Sequence, residues 1–330
     1  MKIRITGQSG EHQFPFQSSG PWQEFKKEIV LQGHSIASEK SEISIDALVS
    51  HRHSNVYMSE AKKNRIPISK RVLVIWEPYI AISKNYSKKV LSQYGKVYAP
   101  SPIWASRVLG ESFAWPQDAI VEIEDFEKWS LRESKFVVIQ GNKFSAVSGE
   151  LYSLRRKVFA KLGSHIHLFG KDWNQGLLKD FWLWTKSALR SFPCRISLRS
   201  LFGVGKFQKS FQGMTGNKAE TLTRYKFAIV IENSPDFVSE KLFDCISAGC
   251  LVLYVGPNLE KFNLPSSNFF LYDASVEEVK KAAFKILSFS ASEQYAIAKS
   301  LNSSFSSISK DWENSTVLGK LARQILTDLA

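Results

Sequence analysis

Residues 225–256 read YKFAIVIENSPDFVSEKLFDCISAGCLVLYVG. Phe227 to Ile231 is a short apolar run of the length of a buried parallel strand. It stops at Glu232-Asn233-Ser234-Pro235-Asp236, residue types that end strands and cap helices. Ser239-Glu240-Lys241 then opens a helix that Gly249 closes, glycine being the usual residue just past a helix end. Cys250 to Val255 makes the next strand. A strand, turn and helix in this order aim backbone N–H groups past the strand end, a setting suited to an anion such as a diphosphate. Lys241 adds a full positive charge on the first turn, and Glu240 beside it could accept hydrogen bonds from sugar hydroxyls.

The same alternation runs outward in both directions. Toward the N-terminus the pattern predicts strands at 2–6, 45–49, 72–76 and 96–99, with helices at 22–31, 56–64 and 86–94 between them. Residues 100–129, rich in Trp, Pro and acids, read as a connecting region. Beyond it come strands at 136–140 and 166–169 and helices at 149–162, 177–191 and 276–288. A serine-rich loop is expected at 301–307 and a terminal helix at 309–329. Strands alternating with helices imply parallel sheets in an α/β fold of two domains.

With 330 residues, 44% of them hydrophobic and 13% aromatic, the chain can bury a core in each domain. No run approaches the ~18 apolar residues of a membrane span. The opening MKIRITGQSGEHQF has no apolar core of a secretory signal. Cys194, Cys245 and Cys250 lack metal-ligand spacing and read as reduced core residues of a cytoplasmic protein. The formal charge is +13, but the lysines are scattered in pairs such as Lys62-Lys63 and Lys88-Lys89. That fits solvated faces, or peripheral contact with an anionic membrane surface. No nucleic-acid partner is expected, because no recognition motif accompanies the charge. His51 and His53, and His165 and His167, are spaced to share a strand face, yet neither pair has a third metal ligand in view.

The 225–256 stretch also resembles the donor-binding motif of glycosyltransferase family 10, the GDP-fucose-dependent α-1,3/4-fucosyltransferases. That pattern is YKF, some five residues ending in EN, a short turn, then Tyr-Val-Thr-Glu-Lys. Its counterparts here are Tyr225-Lys226-Phe227, Glu232-Asn233 and Phe237-Val238-Ser239-Glu240-Lys241. The resemblance implies the GT-B architecture, two Rossmann-like domains facing a cleft. Residues 1–130 would form the acceptor-side domain, 131–305 the nucleotide-sugar domain and 306–330 a C-terminal helix. It implies an inverting transferase passing L-fucose from GDP-fucose to a carbohydrate hydroxyl.

Such chemistry needs a base for the acceptor hydroxyl, positive charge for the departing diphosphate, and a positioned donor. Glu77 ends the VLVIW strand, and Lys70-Arg71-Val72 through Glu77 resembles the family segment that carries the proposed base. Glu122, Glu124 and Asp125 are rival acids. For the diphosphate the resemblance picks Lys241 and Arg155, the latter followed by Val158 and Leu162 as in the family helix. Arg156 is the alternative if the match slips by one residue. Asn233 and Glu232 would line the donor site, and Glu240 would hold the ribose hydroxyls. Phe237 stands where the family has Tyr, keeping a stacking surface without the hydroxyl. Each has an ordinary alternative: a surface ion pair for Arg155, an exposed first-turn lysine for Lys241, a structural acid for Glu77, a turn residue for Asn233, a favourable first-turn acid for Glu240.

No tightly bound cofactor is implied, GDP-fucose being a substrate. No Asp-x-Asp occurs, so no motif calls for a divalent metal. Expected partners are a nucleotide sugar and a glycan acceptor, in the cytoplasm or peripherally at the inner membrane surface. The alternatives are a GT-B transferase with another nucleotide sugar, or a non-catalytic glycan- or nucleotide-binding protein on the same scaffold.

Overall fold

The computed structural model describes residues 1–6, 22–37, 45–51, 53–174, 176–191, 207 and 209–330. The chain forms two compact units, Met1–Gln117 with Asp311–Ala330, and Asp118–Lys310.

Among the described residues the first unit holds six strands: β1 (Lys2–Thr6), β2 (Ser35–Ile36), β3 (Ala47–Ser50), β4 (Arg71–Val74), β5 (Lys96–Ala99) and β6 (Glu111–Ser112). They lie in the order β2-β1-β3-β4-β5-β6, every neighbour pair parallel. Helices α1 (Trp22–Leu31), α2 (Asn55–Lys63), α3 (Lys88–Leu91) and α4 (Pro102–Val108) connect them. The helix expected over 86–94 is shorter, a 3₁₀ turn at Ser83–Tyr86 followed by α3, which Ser87 caps. Part of the expected connecting region belongs to this sheet. Ser101 caps α4, Pro102 fills its first turn, and Trp104 on it is fully buried.

The second unit begins with α5 (Phe126–Ser130), β7 (Glu133–Ile139), α6 (Tyr152–Leu162), β8 (Ile166–Phe169) and α7 (Leu177–Ser191). It continues with β9 (Phe211–Gly213), α8 (Lys218–Leu222), β10 (Tyr225–Ile231), α9 (Glu240–Ser247) and β11 (Leu251–Val255). Last come β12 (Phe270–Leu271), α10 (Val276–Ser288) and α11 (Ala291–Trp312), whose end passes into the first unit. The parallel sheet runs β12-β11-β10-β7-β8-β9. Read from β9 this is the 3-2-1-4-5-6 order of doubly wound dinucleotide-binding sheets, with its reversal between β7 and β10. Every residue of β10 and β11 is buried, as their unbroken apolar runs predict. Phe227, Ile229 and Ile231 share one core with Val158, Phe159 and Leu162 of α6 and Val279, Ala283 and Ile286 of α10.

Two further differences from the sequence reading have physical reasons. The serine-rich 301–307 segment lies inside α11, not in a loop. Leu301 and Phe305 are buried four residues apart, and the Ser304 hydroxyl donates to the Ser300 carbonyl at 2.8 Å, satisfying itself within the helix. The segment after residue 305 does not stand apart. Its helix α12 (Asn314–Leu329) buries Leu318, Leu321, Ala322 and Ile325 against Ile3, Phe25, Ile29 and Val72 of the first unit. The junctions fall at 117/118 and 310/311, against the expected 130 and 305.

Cys245 and Cys250 are free and buried. Burial pushes the Cys250 thiol up to about 12. Cys194 lies outside the described residues. No helix among the described residues is long and apolar enough to cross a membrane.

The end of α9 is a Schellman motif. Cys250 N–H donates to Cys245 O at 3.0 Å and Gly249 N–H to Ile246 O at 2.9 Å, with Gly249 at φ +75°. A Cβ on Gly249 would also meet Ile123 Cγ1 at 2.8 Å. Gly249→Ala is therefore expected to destabilise the protein by about 1–2 kcal/mol, read as a lower denaturation midpoint with an unchanged slope.

Candidate functional site

In doubly wound sheets ligands bind beyond the carboxyl ends of the strands where the order reverses. In the second unit that point lies beyond Ile139 of β7 and Ile231 of β10, and most of the predicted residues gather there. Arg155, on α6 after β7, is 2% exposed. Its Nη2 donates to Ile231 O at 2.5 Å and to Asn233 Oδ1 at 3.2 Å. The Leu151 N–H, at the head of α6, donates to Asn233 O at 3.0 Å. The α6 N-terminus and the β10 end are thus tied together through Asn233. Burial pushes the Arg155 guanidinium below its ordinary value, opposed by Tyr152, Glu232 and Glu150. Its Nε is buried and without a hydrogen-bond partner.

Arg156 turns elsewhere. Its Nη1 donates to Lys143 O at 2.7 Å and its guanidinium lies 3.9 Å from the Phe144 ring centre. Of the two arginines, Arg155 is the one beside Asn233.

On the other side of the turn, Glu232 is fully buried, and Ser239 uses both its oxygens. Oε1 accepts the Ser239 N–H and Oε2 the Ser239 hydroxyl, each at 2.7 Å. Ser239 is the cap residue of α9, yet its own side chain caps nothing. Glu232 satisfies the cap N–H instead and holds the α9 N-terminus to the end of β10. Burial pushes its carboxyl up, against the pull of Lys241 and of the Ser239 hydrogen bonds. Glu232 therefore positions the turn, where the resemblance had given it a place lining the donor. Gly256, after β11, makes room for this. A Cβ there would overlap the Tyr254 hydroxyl and lie 2.9 Å from Glu232 Cγ.

Lys241 completes the corner. Its Nζ donates to Ser239 Oγ at 3.0 Å and to Glu240 Oε1 at 3.3 Å, with the lysine side chain 19% exposed and the glutamate 41%. Burial pushes Glu240 up, but Lys241 and Lys218 outweigh it and hold the carboxyl below its ordinary value. Phe237, on the same turn, is only 3% exposed.

Sequence reasoning missed Lys218 and Gln140. Lys218 pairs with Asp244 of α9. Gln140, just past β7, reaches Ile231 O with Nε2 at 3.5 Å. Neither carries a local signal, because both arrive from separate β/α repeats. Among the described residues no group of three or more His, Cys, Asp and Glu could hold a metal ion.

Glu77 belongs to the first unit. It follows β4, whose ladder continues through the Ile75 N–H to Tyr98 O at 2.7 Å, and it is half-buried. The Tyr86 hydroxyl donates to the Glu77 carbonyl at 3.1 Å and fixes the backbone. Next to it, buried Trp76 stacks on His51 with ring centres 5.8 Å apart and donates its Nε1–H to His51 Nδ1. Phe113 and Trp115 meet Trp76 edge-on at 4.8 and 5.3 Å. Burial lowers His51 to about 3, so it stays neutral at physiological pH. Two of the rival acids have other partners. Glu124 takes Arg132 at 2.7 Å, and Asp125 caps α5 through the Lys128 N–H at 3.0 Å. Glu122 is exposed.

No family model matches the chain. Over 70 residues it is 41% identical to a fucosyltransferase-like protein of Arabidopsis thaliana, a match covering 20% of this chain and 14% of that protein. The chain thus spans a small part of that curated relative's length. Among solved structures it is similar to HepE of Anabaena, determined with UDP and glucose, at TM-score 0.60 and 12% identity over 99% of this chain and 100% of that one. It is similar to an α1,3-fucosyltransferase at TM-score 0.53 and 12% identity, covering 99% and 89%. A glycosyltransferase of Rickettsia africae aligns at TM-score 0.52 and 12% identity over 98% of each chain. At these identities what is shared is the fold, and the two parallel α/β units are those of a GT-B glycosyltransferase fold.

Proposed function

We propose that the protein is an inverting glycosyltransferase that takes GDP-L-fucose and passes the sugar to a hydroxyl of a carbohydrate acceptor. The observation that carries this reading is the convergence of Arg155 and Lys241 with Asn233 and Glu240 at the reversal point of the second sheet. Two cations and a helix N-terminus there suit a diphosphate. The partly exposed Glu240 carboxylate suits the ribose hydroxyls. The YKF…EN…SEK motif and the 41% identical segment support fucose over other sugars.

In the proposed step the acceptor oxygen attacks the anomeric carbon as the bond from that carbon to the diphosphate oxygen breaks. The acceptor proton goes to the Glu77 carboxylate. The electron pair leaves with GDP, whose new charge Lys241 and Arg155 offset. Attack opposite the leaving group turns a β-linked donor into an α-linked product. We place the reaction in the cytoplasm, with the basic surface in peripheral contact with an anionic membrane. The alternative donor is a UDP-sugar, the class of ligand found with HepE in its UDP-glucose complex.

The test is release of GDP or UDP from GDP-fucose and UDP-glucose in the presence of a panel of glycan acceptors. GDP-fucose is expected to turn over. Glu77→Gln is expected to lower kcat by about 10²–10⁴-fold while leaving GDP affinity unchanged. Turnover of UDP-glucose alone would reassign the donor, and full activity in Glu77→Gln would remove this residue as base.

A further inference from the structure

Helix α7 carries its apolar stripe on the outside. Leu178, Trp182, Thr185 and Leu189 fall at i, i+4, i+7 and i+11, one face of a helix. Leu178 is 88% exposed, Trp182 55% and Leu189 76%, with Phe181 on the flank at 55%. The opposite face points inward. Asp180 is buried there, and Ser187 Oγ accepts the Ala146 N–H at 3.0 Å. Four of the exposed large apolar side chains among the described residues therefore sit on three turns of one helix. Ordinary surface apolar residues are scattered singly.

Lysines border the stripe. Lys186 Nζ lies 4.6 Å from the Trp182 ring centre, and Lys179 sits two helical turns earlier on the same flank. Within α7 the single acid, Asp180, faces the protein. Before the helix begins, the half-buried Asp172 pairs with Lys179 at 3.6 Å. An apolar centre with a tryptophan and a cationic border matches the interface of an anionic bilayer, where apolar side chains enter the acyl boundary and lysine ammoniums meet phosphates. A second copy of the same face fits less well. It would bring lysines to lysines with no carboxylate on the stripe to receive them.

We propose that the outward face of α7 docks the protein on an anionic phospholipid surface. This rests on the membrane contact proposed above and gives it a location.

The test is co-sedimentation of the full chain with vesicles of phosphatidylcholine, alone or with about 30% phosphatidylglycerol. Three pairs of substitutions are compared with wild type: Leu178→Ser with Leu189→Ser, Lys179→Gln with Lys186→Gln, and Lys88→Gln with Lys89→Gln. The last pair removes the same charge from exposed positions in the first unit. All six side chains are solvent-accessible, so melting temperatures should stay close to wild type. Wild type and the Lys88/Lys89 pair are expected to bind anionic vesicles alike, and the two α7 pairs roughly tenfold more weakly. Wild-type binding left unchanged by the α7 pairs would overturn this location and leave the membrane contact standing. No wild-type binding would overturn both. A solution dimer dissolved by Leu178→Ser with Leu189→Ser, with no vesicle binding, would assign the face to a second copy instead.

Discussion

Lys241→Ala is expected to lower kcat/KM for the nucleotide sugar by about 10²–10³-fold, with only a modest fall in melting temperature. The two halves of this result come from different physics. The stability half follows from position. Lys241 is on the first turn of α9, where a cation opposes the helix dipole; it donates to one hydroxyl and one half-exposed carboxylate, and its charge also acts on buried Glu232. Losing the two contacts costs little where water reaches the half-exposed carboxylate, and losing the pull on Glu232 adds a modest cost because Glu232 keeps both Ser239 hydrogen bonds. The activity half follows from the proposed charge development on the diphosphate, which the ammonium would offset at close range. Lys241→Arg, keeping the charge with a longer reach, should restore part of the rate. A lysine that served only the fold would lower the melting temperature and leave the kinetics close to wild type.

Glu232→Ala is expected to be the most damaging change to stability at this corner, by about 3 kcal/mol in denaturant unfolding. It strands a buried N–H and a buried hydroxyl of Ser239 that have no water to turn to. Glu232→Gln keeps one acceptor oxygen in place and should lose about 1 kcal/mol. The pH dependence separates this from a loss of packing. The Glu232 carboxyl is raised above its ordinary value of 4.5 in the folded protein, burial outweighing Lys241 and Ser239. An acid whose value rises on folding adds stability that is fully present below its unfolded value and is lost as pH climbs through its folded value. Wild type should therefore lose stability from this group as pH rises above 4.5, and Glu232→Gln should lack that component. A parallel shift of both curves across the whole range would contradict the account.

What the sequence made legible was local. The Tyr225–Gly256 stretch carries both strands, the capping residue and the left-handed glycine within a few turns of chain, and each falls where its signal puts it. The helices at 22–31, 177–191 and 276–288 were legible for the same reason. The two-residue strands β2, β6 and β12 were not, because they are defined by their neighbours and not by their own residues. Serines at 303–307 signal a loop to any local rule, and only Leu301 and Phe305 packing inward makes them helix.

At the site, the sequence could say that Glu232 ends a strand but not which way it faces. The same residue type serves a ligand or a cap, and the Ser239 pairing that decides it is seven residues away. Arg155 and Arg156 differ by one position. Only the Phe144 ring and the Lys143 carbonyl, which take Arg156, leave Arg155 to Asn233. Lys218 and Gln140 reach the corner from other repeats, and no spacing announces them.

The most direct test of the central claim, a GDP-sugar site at the β10–α9 corner, is a thermal shift with GDP, GDP-fucose, UDP and UDP-glucose on wild type and Lys241→Ala. A ligand at about 100 times its Kd adds roughly 2.7 kcal/mol, a rise of a degree or more for a protein of this size. The account predicts that rise with GDP and GDP-fucose, little with the uridine nucleotides, and its loss in Lys241→Ala. No response of wild type to either guanosine nucleotide, or a response that Lys241→Ala leaves intact, would contradict it.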